Sequence, residues 1–302
     1  MLIAAVAMLR LAEAKSVILL AFASATVLPA AVKASPTPSA PKGSSTARLF
    51  YTEKGQGKNI MVLHGWTCDS HDWSWQLPEL ESKYRTVAVD LRGHGRSEVM
   101  PSGHYTPADY VADIESLILT DYPGQKFILI GHSMGGQIAA RLAAKRPDLV
   151  NAVVSIDGSM GFPDQQAALF QKATDDLQNG DPYVIGPALF ELFYDKNTQP
   201  AFKRWHARRL QGMPLQVVQE SFGPLFLGPG QVGVGKASED FCRRLTVPVY
   251  HLCRDASQAE NMRTWFTNPK SKTDYWSHTG HWIMQDRSED VNKAVTAWID
   301  AL

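Results

Sequence analysis

The stretch that decides the fold reads Phe127-Ile128-Leu129-Ile130-Gly131-His132-Ser133-Met134-Gly135-Gly136, followed by the alanine-rich run that ends at Lys145. Four consecutive apolar residues broken by glycine fit a short strand buried on both faces. The run after Gly136 has helical composition and is stopped by Pro147 after two basic residues, Lys145 and Arg146. Gly131-His132-Ser133-Met134-Gly135 satisfies G-x-S-x-G, a pattern that means little alone because glycine and serine are common. Between a strand and a helix it means more, because a sharp turn there holds Ser133 in a strained conformation. That turn also sets Ser133 at a helix N-terminus, where unpaired N–H groups favour developing negative charge.

Outward from this turn, short apolar runs alternate with helical patterns. Strands are expected at 47–52, 59–63, 85–90, 126–131, 150–157, 247–253 and 273–277, with helices at 107–119 and 136–146. A final helix is expected at 289–302, opened by Ser288 as N-cap, with Val291, Val295, Trp298, Ile299 and Leu302 on one face. Such alternation predicts an α/β fold, a mostly parallel sheet with helices on both faces. The 89 residues of 158–246 hold helical patterns but no good strand, too long for a plain crossover. They are expected to form a helical cap inserted into a core of 46–157 and 247–302. Of the cap's aromatic residues, Phe190, Phe193, Tyr194, Trp205, Phe222 and Phe226, most are expected in the cap's own core. Its cations Lys203, Arg204, Arg208 and Arg209 are expected to form a solvated face.

Composition narrows the function classes. Thirty basic residues balance thirty acidic ones, which gives no pull toward nucleic acid or an anionic membrane. With 44% hydrophobic residues the chain can build a sizeable core. Three cysteines, Cys68, Cys242 and Cys253, leave one unpaired and do not make a disulfide scaffold. No His/Cys spacing suggests a metal site, and no cofactor is expected. Residues 1–45 differ from the rest: Arg10 and Lys15 precede an uncharged run to Val32, then a Pro/Ser-rich stretch to Ser45. This predicts a signal peptide cut near Ala34 and a linker, hence a secreted or periplasmic protein with no stable membrane association after cleavage. Met8 would serve equally as the start.

Three further motifs accompany the serine turn: Leu63-His64-Gly65-Trp66, then Asp90-Leu91-Arg92-Gly93-His94-Gly95-Arg96-Ser97, and Gly280-His281-Trp282. Together, in this order, they resemble the α/β-hydrolase family from about Ala47 to the end of the chain. The resemblance implies Ser133 as nucleophile and His281 as base, an imidazole with an ordinary pKa of about 6.5 being suited to move a proton near neutrality. It implies an oxyanion hole from the N–H groups of Trp66 and Met134, with His64, Gly65, Trp66 and His132 around the substrate. Asp90, Arg92 and His94 are expected to be structural, and His278 a surface residue. The acid departs from the commonest pattern, a G-x-x-D turn after the strand at 247–253, where this chain reads Arg254-Asp255-Ala256-Ser257. Asp157, at the end of the preceding strand, and Asp255 are both candidates, the former favoured; either keeps the order Ser, acid, His.

The expected activity is hydrolysis of an ester, lactone or related carbonyl bond in a small organic substrate through an acyl-enzyme. The His-Gly-Trp turn and the acid after the earlier strand also resemble the cofactor-free dioxygenases of this scaffold. A ligand-binding receptor without turnover is a third reading, since fold alone does not fix function. Substrate identity and oligomeric state are not written in these motifs.

Overall fold

A computed structural model describes Lys33, Ala34 and residues 45–302; the expected signal peptide and most of the linker lie outside the described residues. Ala34–Leu302 form one compact unit, which carries the fold.

Its strands are β1 (Lys33–Ala34), β2 (Tyr51–Lys54), β3 (Asn59–Leu63), β4 (Arg85–Val89), β5 (Phe127–His132), β6 (Val150–Ile156), β7 (Val249–Cys253) and β8 (Lys272–Tyr275). They form one sheet in the order β1-β2-β4-β3-β5-β6-β7-β8. β2 runs antiparallel to β4, and every pairing from β4 to β8 is parallel. Strands β5 and β7 are buried throughout, and β3, β4 and β6 except at one residue each. Burial on both faces removes any reason for alternation, which is why β3 and β5 read as near-continuous apolar runs. The edge strand β8 is buried only at Thr273, with Lys272 and Tyr275 exposed.

Most boundaries shift by a residue or two, and two of the shifts have a visible cause. The first strand, expected at 47–52, starts at Tyr51; the chain before it is tied by single bonds, Glu98 N–H to Arg48 O and Asp90 N–H to Phe50 O, without forming a ladder. Ser288 is the first residue of the last helix, Ser288–Asp300, and not its cap; Arg287 stands before it and donates instead to Asp290 at 2.7 and 2.9 Å. The face expected of this helix is kept, with Val291, Val295 and Ile299 buried and Trp298 and Leu302 half-buried against the core.

Between β6 and β7 the chain forms the helices Ala167–Asn179, Pro182–Glu191, Pro200–Leu210, Leu215–Glu220 and Gly235–Arg243. The first four pack on one another; the last packs against the helix Ala256–Trp265 that follows β7. Arg209 ties this segment to the core. It is nearly buried, donates to Thr67 O at 2.9 Å and pairs with the fully buried Asp72, which also accepts from Trp282 Nε1 at 3.2 Å. The solvated face expected of the basic cluster therefore does not extend to Arg209. Asp72→Ala is expected to lower unfolding free energy by about 3–5 kcal/mol, the cost of leaving a buried guanidinium unpaired. Asp69→Ala, which removes a carboxylate 3.6 Å from the same group, should cost under about 1 kcal/mol. Urea titrations of the two variants check this.

Buried histidines add a pH dependence. Burial pushes His94 and His132 down to about 3, and His206 and His251 down to about 4. A base whose folded-state pKa is depressed binds fewer protons than the unfolded chain, so stability falls as pH drops from about 6.5 toward 4. Each contributes about 1.4 kcal/mol per pH unit over that window. Thermal unfolding at pH 4.5 is expected at least about 10 °C below that at pH 7.5; an unchanged Tm would show that these rings do not stay neutral.

Candidate active site

The parallel strands all end on one edge, and the functional side chains follow their last residues: Trp66 after β3, Ser133 after β5, Asp157 after β6, Arg254 after β7 and His281 beyond β8. That is where α/β sheets collect their chemistry. Register sets two of them side by side, since His132 pairs with Ile156 immediately before Ser133 and Asp157.

Ser133 has φ 51° and ψ −116°, a strained conformation for a residue with a side chain, and its N–H donates to Ile156 O at 3.0 Å. The flanking glycines are dictated by crowding. A Cβ on Gly131 would stand 2.2 Å from Gly135 O, and one on Gly135 2.2 Å from Leu63 O. Close approach of this kind lets the turn dock against the end of β3 and leaves the Met134 N–H at the mouth of the helix Met134–Lys145. Neither that N–H nor the Trp66 N–H has an acceptor among the described residues. Ser133 Oγ lies 3.4 Å from Ser159 Oγ and makes no hydrogen bond to His281.

His281 is held on three sides. Its Nδ1 lies 2.5 Å from Asp157 Oδ2, its N–H donates to Phe193 O at 2.7 Å, and its carbonyl accepts from His132 Nε2 at 3.0 Å. Asp157 also accepts from Arg254, from Nε at 3.0 Å and from the backbone N–H at 3.2 Å. Burial alone would raise the Asp157 pKa; the His281 bond and the Arg254 charge outweigh it and hold the carboxyl well below the usual range. Asp255 is occupied elsewhere, its Oδ1 capping the helix Ala256–Trp265 through Gln258 N–H at 2.8 Å and taking the Ser257 hydroxyl at 2.6 Å.

A cavity of about 290 Å³ opens onto these groups, lined at its base by Ser133, Asp157, His281, His132 and Trp66. Its walls include Phe162, Phe170, Phe190, Phe193, Phe222 and Phe226, with Ser159, Gln166, Arg254, Asp255 and Gln258 as the polar remainder. Four of the six aromatic residues singled out between β6 and β7 line the cavity, and Phe190, Phe222 and Phe226 are at the same time buried in the hydrophobic core, as expected. Tyr194 and Trp205 do not line it; Tyr194 and His206 stack on Trp282 instead. No periodicity could have told these apart, since both roles call for an apolar helical face.

His64 and Gly65, expected near the substrate, do not line the cavity. His64 is fully buried, Nδ1 donating to Gly65 O at 2.8 Å and Nε2 accepting the Leu91 N–H at 2.9 Å, so both nitrogens are spent on shaping the loop. Asp90, Arg92 and His94 are loop-fixing residues: Asp90 accepts the Ser70 N–H, Arg92 grips Asp113 through two 2.5 Å bonds, and His94 bonds Arg92 O. His278 is exposed. Cys68, Asp72 and His132 bring one donor atom each within 4.8 Å of one another. Within that trio Asp72 is engaged by Arg209 and by Trp282 Nε1.

Residues 58–236 match the model of the alpha/beta hydrolase fold family, and the chain belongs to that family. It is 43% identical to the 2-(acetamidomethylene)succinate hydrolase of Mesorhizobium japonicum over 105 residues, 35% of this chain and 37% of that one. It is 29% identical over 121 residues to the pimeloyl-[acyl-carrier protein] methyl ester esterase of Proteus mirabilis, 40% of this chain and 44% of the relative. In both cases the match spans less than half of the relative. Among solved structures, a thermophilic esterase from Thermogutta terrifontis superposes with a TM-score of 0.72 at 23% identity, covering 90% of this chain and 99% of that one. The enol-lactonase from Burkholderia xenovorans gives 0.71 at 16%, covering 84% and 97%.

Proposed function

We propose that this hydrolase cleaves an ester, lactone or related carbonyl bond of a small organic substrate through Ser133, His281 and Asp157. The observation that carries the proposal is the 2.5 Å contact of Asp157 with His281 Nδ1, on the same cavity as a serine held at positive φ. With Nδ1 engaged, Nε2 is the nitrogen left to take the Ser133 proton as Oγ attacks the carbonyl carbon. The oxygen of the tetrahedral intermediate takes its charge beside the unpaired N–H groups of Trp66 and Met134, each worth roughly 3 kcal/mol of barrier. His281 returns the proton to the leaving group, and a water molecule then releases the acyl group by the same steps. In the resting geometry Ser133 Oγ points to Ser159, so attack requires the hydroxyl to swing toward His281; such bonds often form only in the substrate complex.

The test is chemical. Protein quenched during turnover of p-nitrophenyl butyrate should carry one butyryl group, on the peptide containing Ser133. The Ser133–Ser159 pairing favours a second reading, a cofactor-free dioxygenase in which His281 deprotonates substrate and the serine only orients it. Oxygen uptake with a 3-hydroxy-4-quinolone and no acyl adduct would select that reading. Export is proposed as well, and the N-terminus of the mature protein from its native host, read by mass spectrometry, tests it.

A further inference from the structure

Arg254 stands where β7 gives way to the helix Ala256–Trp265, at the place where most of the family carries a glycine. Its backbone N–H and Nε are spent on Asp157, but Nη1 and Nη2 have no acceptor among the described residues. The side chain is 30% exposed against 8% for Asp157, so what remains open is the outer edge of the guanidinium. That edge belongs to the cavity lining, near Phe193, whose ring centre is 6.0 Å from Cζ. Among the described lining residues it is the one permanent cation. The carboxylates nearby are already answered: Asp157 by His281 and Arg254, Asp255 by the amide and hydroxyl at the start of its helix. Two parallel N–H donors in a fixed fork match a carboxylate better than any neutral group.

We infer that Arg254 takes a carboxylate of the substrate. Resting on the hydrolase reading, this makes the substrate a carboxylate-bearing ester or lactone, with its apolar body against Phe162, Phe170, Phe222 and Phe226 and its anionic end at Arg254. The guanidinium then has two duties, holding Asp157 through Nε and holding substrate through Nη1 and Nη2.

Calorimetry on the full chain carrying Ser133→Ala, with 4-phenylbutyrate and its neutral amide as probes, tests the binding claim without any turnover. The carboxylate is expected to bind about 10-fold more tightly than the amide, and Arg254→Gln added to Ser133→Ala should bring the two within about 2-fold, with Arg254→Lys in between. Equal binding of the two probes, no binding of either, or a preference that survives Arg254→Gln overturns the inference. On protein with Ser133 intact, mono-p-nitrophenyl glutarate should exceed p-nitrophenyl butyrate in kcat/KM by a similar factor, lost in Arg254→Gln through KM. If Arg254 only positions Asp157, both esters slow equally and their ratio stays fixed, which also overturns it. Failure to hydrolyse either ester sinks the hydrolase reading and leaves the calorimetric result standing by itself.

Discussion

Replacing Ser133 by alanine is expected to cut turnover of short p-nitrophenyl esters by on the order of 10⁵-fold, because a nucleophile and its base fail as a unit when either is lost. The fold should survive, since the hydroxyl makes a single weak bond, to Ser159 at 3.4 Å, and alanine demands no new space. Thermal unfolding of the variant within a few degrees of the parent would establish that. A fluorophosphonate reagent should label the parent once, at Ser133, and leave the variant unmodified. Folded parent protein that resists the reagent, or a variant that keeps turning over, would remove Ser133 from the chemistry.

Asp157→Asn should lower kcat by about 10⁴-fold, nearly as much as loss of the serine. An amide in that position can present its NH₂ to His281 Nδ1, which favours the tautomer with the proton on Nε2 and takes away the lone pair needed by Ser133. It also removes the charge that answers Arg254 at 3.0 Å. Asp255→Asn should change kcat by less than about 3-fold, because asparagine caps a helix as well as aspartate does and Asp255 makes no contact with His281. Steady-state kinetics of the pair decide between the two acids; the reverse ranking would place Asp255 in the triad.

Much of this architecture could be read from the chain because burial on both faces leaves a plain trace. The runs expected at 59–63, 85–90 and 126–131 fall within a residue of β3, β4 and β5. The serine turn is equally plain, because a Cβ on Gly131 or Gly135 would stand 2.2 Å from a neighbouring carbonyl oxygen, so only glycine fits there. The proposed acid is legible only by position, two carboxylates fitting the order; the structure sets Asp157 against His281 Nδ1 and gives Asp255 a helix to cap. Arg209 departs from expectation because a basic residue on a helix is normally solvated, and its partner Asp72 lies 137 residues away in sequence. His64 departs for a related reason. A histidine in a motif suggests contact with substrate, yet its two ring nitrogens are consumed by backbone groups that no pattern announces. Arg254 stood out only as a departure from the family's turn, and its grip on Asp157 gives that departure a physical sense.

The bond from His281 N–H to Phe193 O couples the cavity wall to the imidazole. Phe193 belongs to the stretch between β6 and β7 and also lines the cavity, so one residue both bounds the space open to a guest and anchors the backbone of His281. A displacement of residue 193 away from the sheet would break that anchor.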